Sequence, residues 1–196
     1  MPDEGYKQIL ALLVFLALWI NGSFYLLVLL PFIYIRFVLR ESQSLIGFNR
    51  RGLRPSMALG VFSGLFVLAV YYPIHINYIA VRAKALFSLG VALSDLVWYP
   101  IYEEISYRGF FLGVFTKKDS LFSNQNMALN LIQALMFTSV HHHYVKAGLP
   151  LLLIPIFILG FLSGLVFLRS RNIVGCFLAH AISNGIALLL GIAVVG

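Results

Sequence analysis

Hydrophobic residues in this chain come in long runs rather than in the narrow stripe of a surface helix. The first run covers residues 8–35 and is interrupted by Asn21-Gly22-Ser23 and by Pro31. About 20 apolar residues cross the hydrocarbon core of a bilayer. This run therefore predicts one long, tilted or kinked helix, with two shorter membrane-embedded pieces as the alternative. A second span is expected over residues 55–73, followed by a loop holding His75, Arg82 and Lys84. The third starts near Ala85, carries Asp95 and a Glu-Glu pair, and ends near Thr116. The fourth, fifth and sixth are expected over residues 126–143, 149–168 and 172–195. The pattern predicts an all-α, polytopic transmembrane bundle of about six spans, built from six to eight membrane helices. No polar segment is long enough to fold separately, so residues 1–196 form a single domain.

Composition supports this picture. Hydrophobic residues make up 61% of the chain and charged residues only 11%. A soluble domain is near half apolar and a quarter charged. The net charge of +7 does not point to nucleic acid. In a membrane protein, surplus Lys and Arg mark cytoplasmic loops and contact with anionic lipid. Loops 36–54, 117–119 and 169–171 hold nine Lys and Arg, against Lys7, Arg82, Lys84 and Lys146 on the opposite side. With six spans that asymmetry places the basic loops in the cytoplasm and both termini outside, whereas two spans in the first run would put the termini on opposite sides. The N-terminal flank is net acidic, which is wrong for a cleaved signal peptide, so the first run is expected to be retained. The single cysteine, Cys176, rules out an intrachain disulfide.

Against this background one stretch stands out: Tyr102-Glu103-Glu104-Ile105-Ser106-Tyr107-Arg108-Gly109. Each ionised group in a bilayer costs on the order of 3 kcal/mol on insertion scales, so such residues mark function by default. On an α-helix Glu104 and Arg108 share a face, being four residues apart, while Glu103 points about 140° away from Arg108. Arg108 can then neutralise Glu104 as a structural ion pair, leaving Glu103 for chemistry. Asp95 is a further carboxylate, better explained as a polar helix contact or an interfacial position. The fourth segment brings His141, beside His142 and His143 at a helix end near water. The sixth brings His180 and Asn184, again four apart. Counted from the cytoplasmic ends at 1.5 Å per residue, Glu103, His141 and His180 lie roughly 12 to 22 Å deep. A carboxylate and an imidazole on one water form a general-base pair, and a second imidazole with an amide can hold an oxyanion. Glu103, His141 and His180 could instead bind zinc, although a His-Glu-x-x-His helix is absent.

These residues resemble the CAAX prenyl protease and bacteriocin-processing family of intramembrane endopeptidases. The pattern is Glu-Glu-x-x-x-Arg, Phe-x-x-x-His and His-x-x-x-Asn, here Glu103-Glu104…Arg108, Phe137…His141 and His180…Asn184. The resemblance covers a motif-bearing core of about residues 85–190. The family often has Phe where Tyr107 stands. The resemblance implies a helical membrane bundle that cleaves a peptide bond near the cytoplasmic side. Glu103 would be the general base, with His141 helping to hold the water. His180 and Asn184 would form the oxyanion site, and Glu104 and Arg108 would be structural. It implies a glutamate-type mechanism with no required cofactor, zinc being the alternative. The partners are a peptide or protein substrate and membrane lipid. The chain lacks the extra helices of the eukaryotic prenyl-protein enzymes. The expected setting is therefore a multi-pass protein of a prokaryotic plasma membrane, trimming a leader peptide, a bacteriocin or a C-terminal sorting tail.

Two other classes fit parts of the pattern. A non-catalytic immunity or scaffold protein of the same fold would not need intact motifs. A haem or proton carrier using His141 and His180 would leave Glu-Glu-x-x-x-Arg unexplained.

Overall fold

The computed structural model describes residues 4–20, 28–85, 93–116 and 123–195, and their side chains except those of Glu4, residues 74–85, Asp95 and residues 186–195. Among the described residues the chain is helical throughout and has no strand. Helix α1 is Glu4–Ile20. It turns Ala11, Phe15 and Leu18 inward at helical spacing and leaves Ile9, Leu12, Leu13 and Ile20 exposed. Helix α2 is Leu29–Leu39. Residues 21–27, where the first apolar run either continues or breaks, lie outside the described residues, and with them the choice between one kinked helix and two pieces. Helix α2 widens into π-type i→i+5 bonding over Tyr34–Leu39 and stops at Arg40, whose φ of 58° is left-handed.

Helix α3, Leu53–Ala85, runs through Pro73. The sequence reading ends a span at Pro73 and places a loop after it. The structure corrects this: the helix continues to Ala85. An interior proline costs a hydrogen bond, but in membrane helices neighbouring groups satisfy the freed carbonyl. The side chains of His75, Arg82, Lys84 and Asp95, and all of residues 21–23 and 117–119, lie outside the described residues.

Helix α4 covers residues 94–115 and changes pitch along its length. Ser94–Trp98 is π-helical, Tyr99–Glu103 is α-helical, Glu104–Leu112 is π-helical, and Gly113–Phe115 returns to α. The Gly113 N–H still reaches the Arg108 carbonyl five residues back. Helix α5, Asn124–Ser139, starts at Ser123, whose Oγ accepts from the Asn126 N–H at 3.1 Å. It ends sooner than the pattern predicts, so His141 sits in the turn beyond it. One short helical turn, His143–Lys146, precedes α6, Leu153–Ser170. Helix α7 is Val174–Val195. Two stretches, Leu53–Pro73 and Pro150–Ser170, are long and apolar enough to cross a membrane.

The core is centred on α4. Phe15, Ile35, Ile46, Phe110, Leu112, Phe137, Phe167 and Ile173 are all buried in one cluster. Polar ties fix the order of the helices around it. Tyr102 donates to the Leu18 carbonyl at 2.8 Å, and Trp19 Nε1 donates to the Met136 carbonyl at 3.3 Å. Helices α3 and α7 meet along a seam of small residues. A Cβ on Gly60 would fall on the Gly175 carbonyl, and one on Gly64 would lie 2.9 Å from the Ala179 carbonyl oxygen. A polar clasp closes the seam at its loop end. Ser56 Oγ donates to the Asn172 carbonyl at 2.8 Å and accepts from the Gly175 N–H at 2.9 Å. Asn172 Nδ2 donates to the Asn49 carbonyl at 2.6 Å, and its Oδ1 accepts from the Val174 N–H at 3.0 Å. Helix α7 therefore starts at a defined height and rotation, and this sets where His180 lies.

Candidate active site

The site forms where α4 faces α7 and the end of α5. Glu104 is fully buried on α4, and its Oε1 is shared by two donors. Arg108 Nη1 lies 3.1 Å away and His180 Nδ1 lies 2.9 Å away. A π turn places side chains four and five residues apart on one face, and the Glu104–Arg108 pair uses that alignment. Arg108 is also fully buried, so each ion compensates the other's loss of water. Because Oε1 is an acceptor, the proton in its contact with His180 belongs to Nδ1. The ring is thereby oriented so that Nε2 faces Glu103, whose Oε2 is 3.6 Å away. The Glu103 side chain is 15% exposed and that of Glu104 0%. Two adjacent carboxylates thus meet opposite nitrogens of one imidazole.

Phe137 connects the remaining parts. The Arg108 guanidinium carbon lies 4.4 Å from the centre of its ring, a cation–π contact that covers the charge on an apolar side. His180 meets the same ring edge-on at 5.9 Å, and the His141 ring is 5.0 Å from it. The Phe137 carbonyl accepts from His141 Nδ1 at 2.8 Å. A carbonyl can only accept, so His141 also carries its proton on Nδ1 and keeps Nε2 for other work. The His141 side chain is half-buried, in keeping with its place in the turn after α5. Asn184 lies one turn beyond His180 on α7 and is half-buried.

The structure therefore joins Glu103, Glu104, Arg108 and His180 directly, and His141 through Phe137. Asn184 shares a helix with His180. His142 and His143 are exposed, as the chain pattern suggests for that helix end. Two connections escaped the sequence reading. The pairing of Glu104 with His180 spans 76 residues, and helical spacing carries no signal for it. The hub role of Phe137 had a signal in its position four residues before His141. For the zinc alternative, no group of three His, Cys, Asp or Glu side chains gathers as a metal site among the described residues. His180 in particular has one nitrogen on Glu104 and the other toward Glu103. Cys176 is buried and its Sγ is tied to the Ser163 carbonyl at 3.2 Å, which places it in the packing rather than in the site.

A family model described as type II CAAX prenyl endopeptidase Rce1-like matches residues 85–186, just over half of the chain. No curated protein and no solved structure gives a significant match. The matched segment holds α4, α5, α6 and the part of α7 that bears His180 and Asn184. It encloses every side chain of the cluster just described, and the chain belongs to the Rce1-like family of type II CAAX prenyl endopeptidases, a membrane-embedded protease family.

Proposed function

We propose that this protein is an intramembrane endopeptidase that hydrolyses a peptide bond of a membrane-associated protein or peptide by a glutamate-based mechanism. The observation that carries this reading is the imidazole of His180 held between Glu104 at 2.9 Å and Glu103 at 3.6 Å. Glu103, the more exposed carboxylate, takes a proton from water, and the resulting hydroxide adds to the scissile carbonyl. His141, with Nε2 unprotonated, accepts a hydrogen bond from that water and fixes its direction. The carbonyl oxygen becomes an oxyanion. His180 donates to it from Nε2 when the ring carries both protons, and the Glu104 carboxylate supplies the compensating charge while Glu103 holds the proton taken from water. Asn184 is the second donor. The proton on Glu103 then passes to the leaving amine as the C–N bond breaks, returning the carboxylate. Glu104 holds His180 and Arg108 holds Glu104. No metal ligand set enters this scheme, and cleavage should persist in the presence of a chelator.

The chain acts as a multi-pass protein of a prokaryotic plasma membrane, with its basic loops toward the cytoplasm and anionic lipid. Its substrate is a membrane-associated leader, bacteriocin or sorting peptide. The test compares, by mass spectrometry, membrane and secreted peptides from cells carrying wild type or Glu103→Gln. Peptide termini present only with the wild type are the expected result. Identical profiles at equal expression would overturn the proposal in favour of a non-catalytic scaffold.

A further inference from the structure

Three tyrosines on or beside α4 are no more than 4% exposed: Tyr34, Tyr102 and Tyr107. A buried phenol normally finds a hydrogen-bond acceptor. Tyr34 donates to the Lys7 carbonyl and Tyr102 to the Leu18 carbonyl. Among the described residues, the Tyr107 hydroxyl makes no hydrogen bond. Its ring is nevertheless held firmly. It stands edge-on to Phe137 at 5.4 Å and to Phe15 at 5.6 Å, with interplanar angles of 83° and 87°. The two contacts fix the direction of the ring and with it that of the hydroxyl.

Its position points to one acceptor. Tyr107 follows Glu103 by four residues, and long helical side chains lean back over the preceding turn. Glu103, Tyr102 and Arg108 all act electrostatically on the phenol. Arg108 offers only donors, and of the two neighbours with an acceptor oxygen Glu103 is the charged one and the stronger acceptor. The Glu103 carboxylate has room for a donor, because its 3.6 Å approach to His180 Nε2 is longer than a hydrogen bond.

We propose that Tyr107 is a positioning residue whose hydroxyl donates to one oxygen of the Glu103 carboxylate when substrate closes the site, turning the other oxygen toward the attacking water. Catalytic hydrogen bonds often tighten only in the substrate complex, which accounts for a donor left open in the resting protein. The phenol keeps its proton throughout, so no further group is needed to balance the step. The inference rests on Glu103 as the base.

Membranes from cells making wild type, Tyr107→Phe or Glu103→Gln in matched amounts provide the test. The initial rate of formation of the new peptide terminus is followed at several substrate levels, and thermal unfolding of each protein is measured alongside. Tyr107→Phe keeps the ring and both edge-on contacts. It should lower kcat about tenfold while leaving KM and the unfolding temperature unchanged. A merely structural residue would instead lower the unfolding temperature together with the rate, and that outcome would overturn the proposal. An unchanged kcat, with Glu103→Gln inactive, would remove Tyr107 from its role and leave Glu103 in place. Full activity in Glu103→Gln, or profiles that do not differ from wild type, would remove the base itself and this proposal with it.

Discussion

Helix α3 and the stretch Glu104–Leu112 divide the chemistry of the molecule between them. Over Leu53–Pro73, α3 is apolar, yet only 22% of that stretch is buried. Its outer face shows Phe62, Leu65 and Phe66 to the surroundings. Glu104–Leu112 carries a carboxylate, two hydroxyls and a guanidinium, and all nine of its residues are buried. In a water-soluble protein the positions would be exchanged. The difference shows what each region is shielded from. Lipid accepts the apolar face of α3 at no cost, whereas the ionised groups of α4 must find partners among themselves. Glu104 Oε1, Arg108 Nη1 and His180 Nδ1 are joined in this way, Glu104 Oε2 and Arg108 Nε and Nη2 have no hydrogen-bond partner among the described residues, and Glu103 sits at the edge of the set.

The contrast can be broken most sharply at Glu103. Glu103→Gln should reduce cleavage by about 10²- to 10⁴-fold, with little change in unfolding temperature, because that side chain is not part of the buried ion pair. Rates in isolated membranes read the first effect and thermal unfolding in detergent reads the second. Next comes Arg108→Ala, which strands a buried carboxylate and should cost about 3–5 kcal/mol of stability. Replacing both ions, Arg108→Met with Glu104→Leu, should restore most of that stability in denaturation experiments. It should not restore activity, since His180 then loses the acceptor that orients it. Phe137→Ala removes the ring under the guanidinium and beside both imidazoles, at about 3–5 kcal/mol by the same measurement. Gly60→Ala forces α3 off the Gly175 carbonyl and should cost about 1–3 kcal/mol. On the exposed outer face of α3, Leu65→Ala should change stability by no more than about 0.5 kcal/mol. A large loss at Leu65 would contradict the division drawn between the two regions.

The chain itself revealed some of this arrangement and hid the rest for physical reasons. Long apolar runs fixed the helical class. The four-residue spacing of Glu104 and Arg108 anticipated the contact that the fold shows, because it is local. Spacing within one element could not reveal the Glu104–His180 bond. That contact depends on the α3–α7 seam and on the Asn172 clasp, which set the height of α7. The π pitch of Glu104–Leu112 was also hidden, since the reading assumed 100° per residue along the whole segment. His141 was expected on a helix and lies in a turn, because α5 closes at Ser139 and the next helical turn begins only at His143. Pro73 misled in the opposite sense, ending an expected span where the helix in fact continues.

The glycine seam bears on how this protein would respond to random mutation. Gly60 and Gly64 on α3 lie far along the chain from Glu103, yet they press on α7 at Gly175 and Ala179, the latter next to His180. Any side chain added there is transmitted along a rigid rod to the imidazole. In a saturation screen scored by activity alone, the seam would register as strongly as the motifs, and a reader of that screen would assign catalytic roles to residues with no chemistry. Scoring the same library by abundance would separate the two groups. Seam variants would fall in both assays, while variants of Glu103 would fall in one.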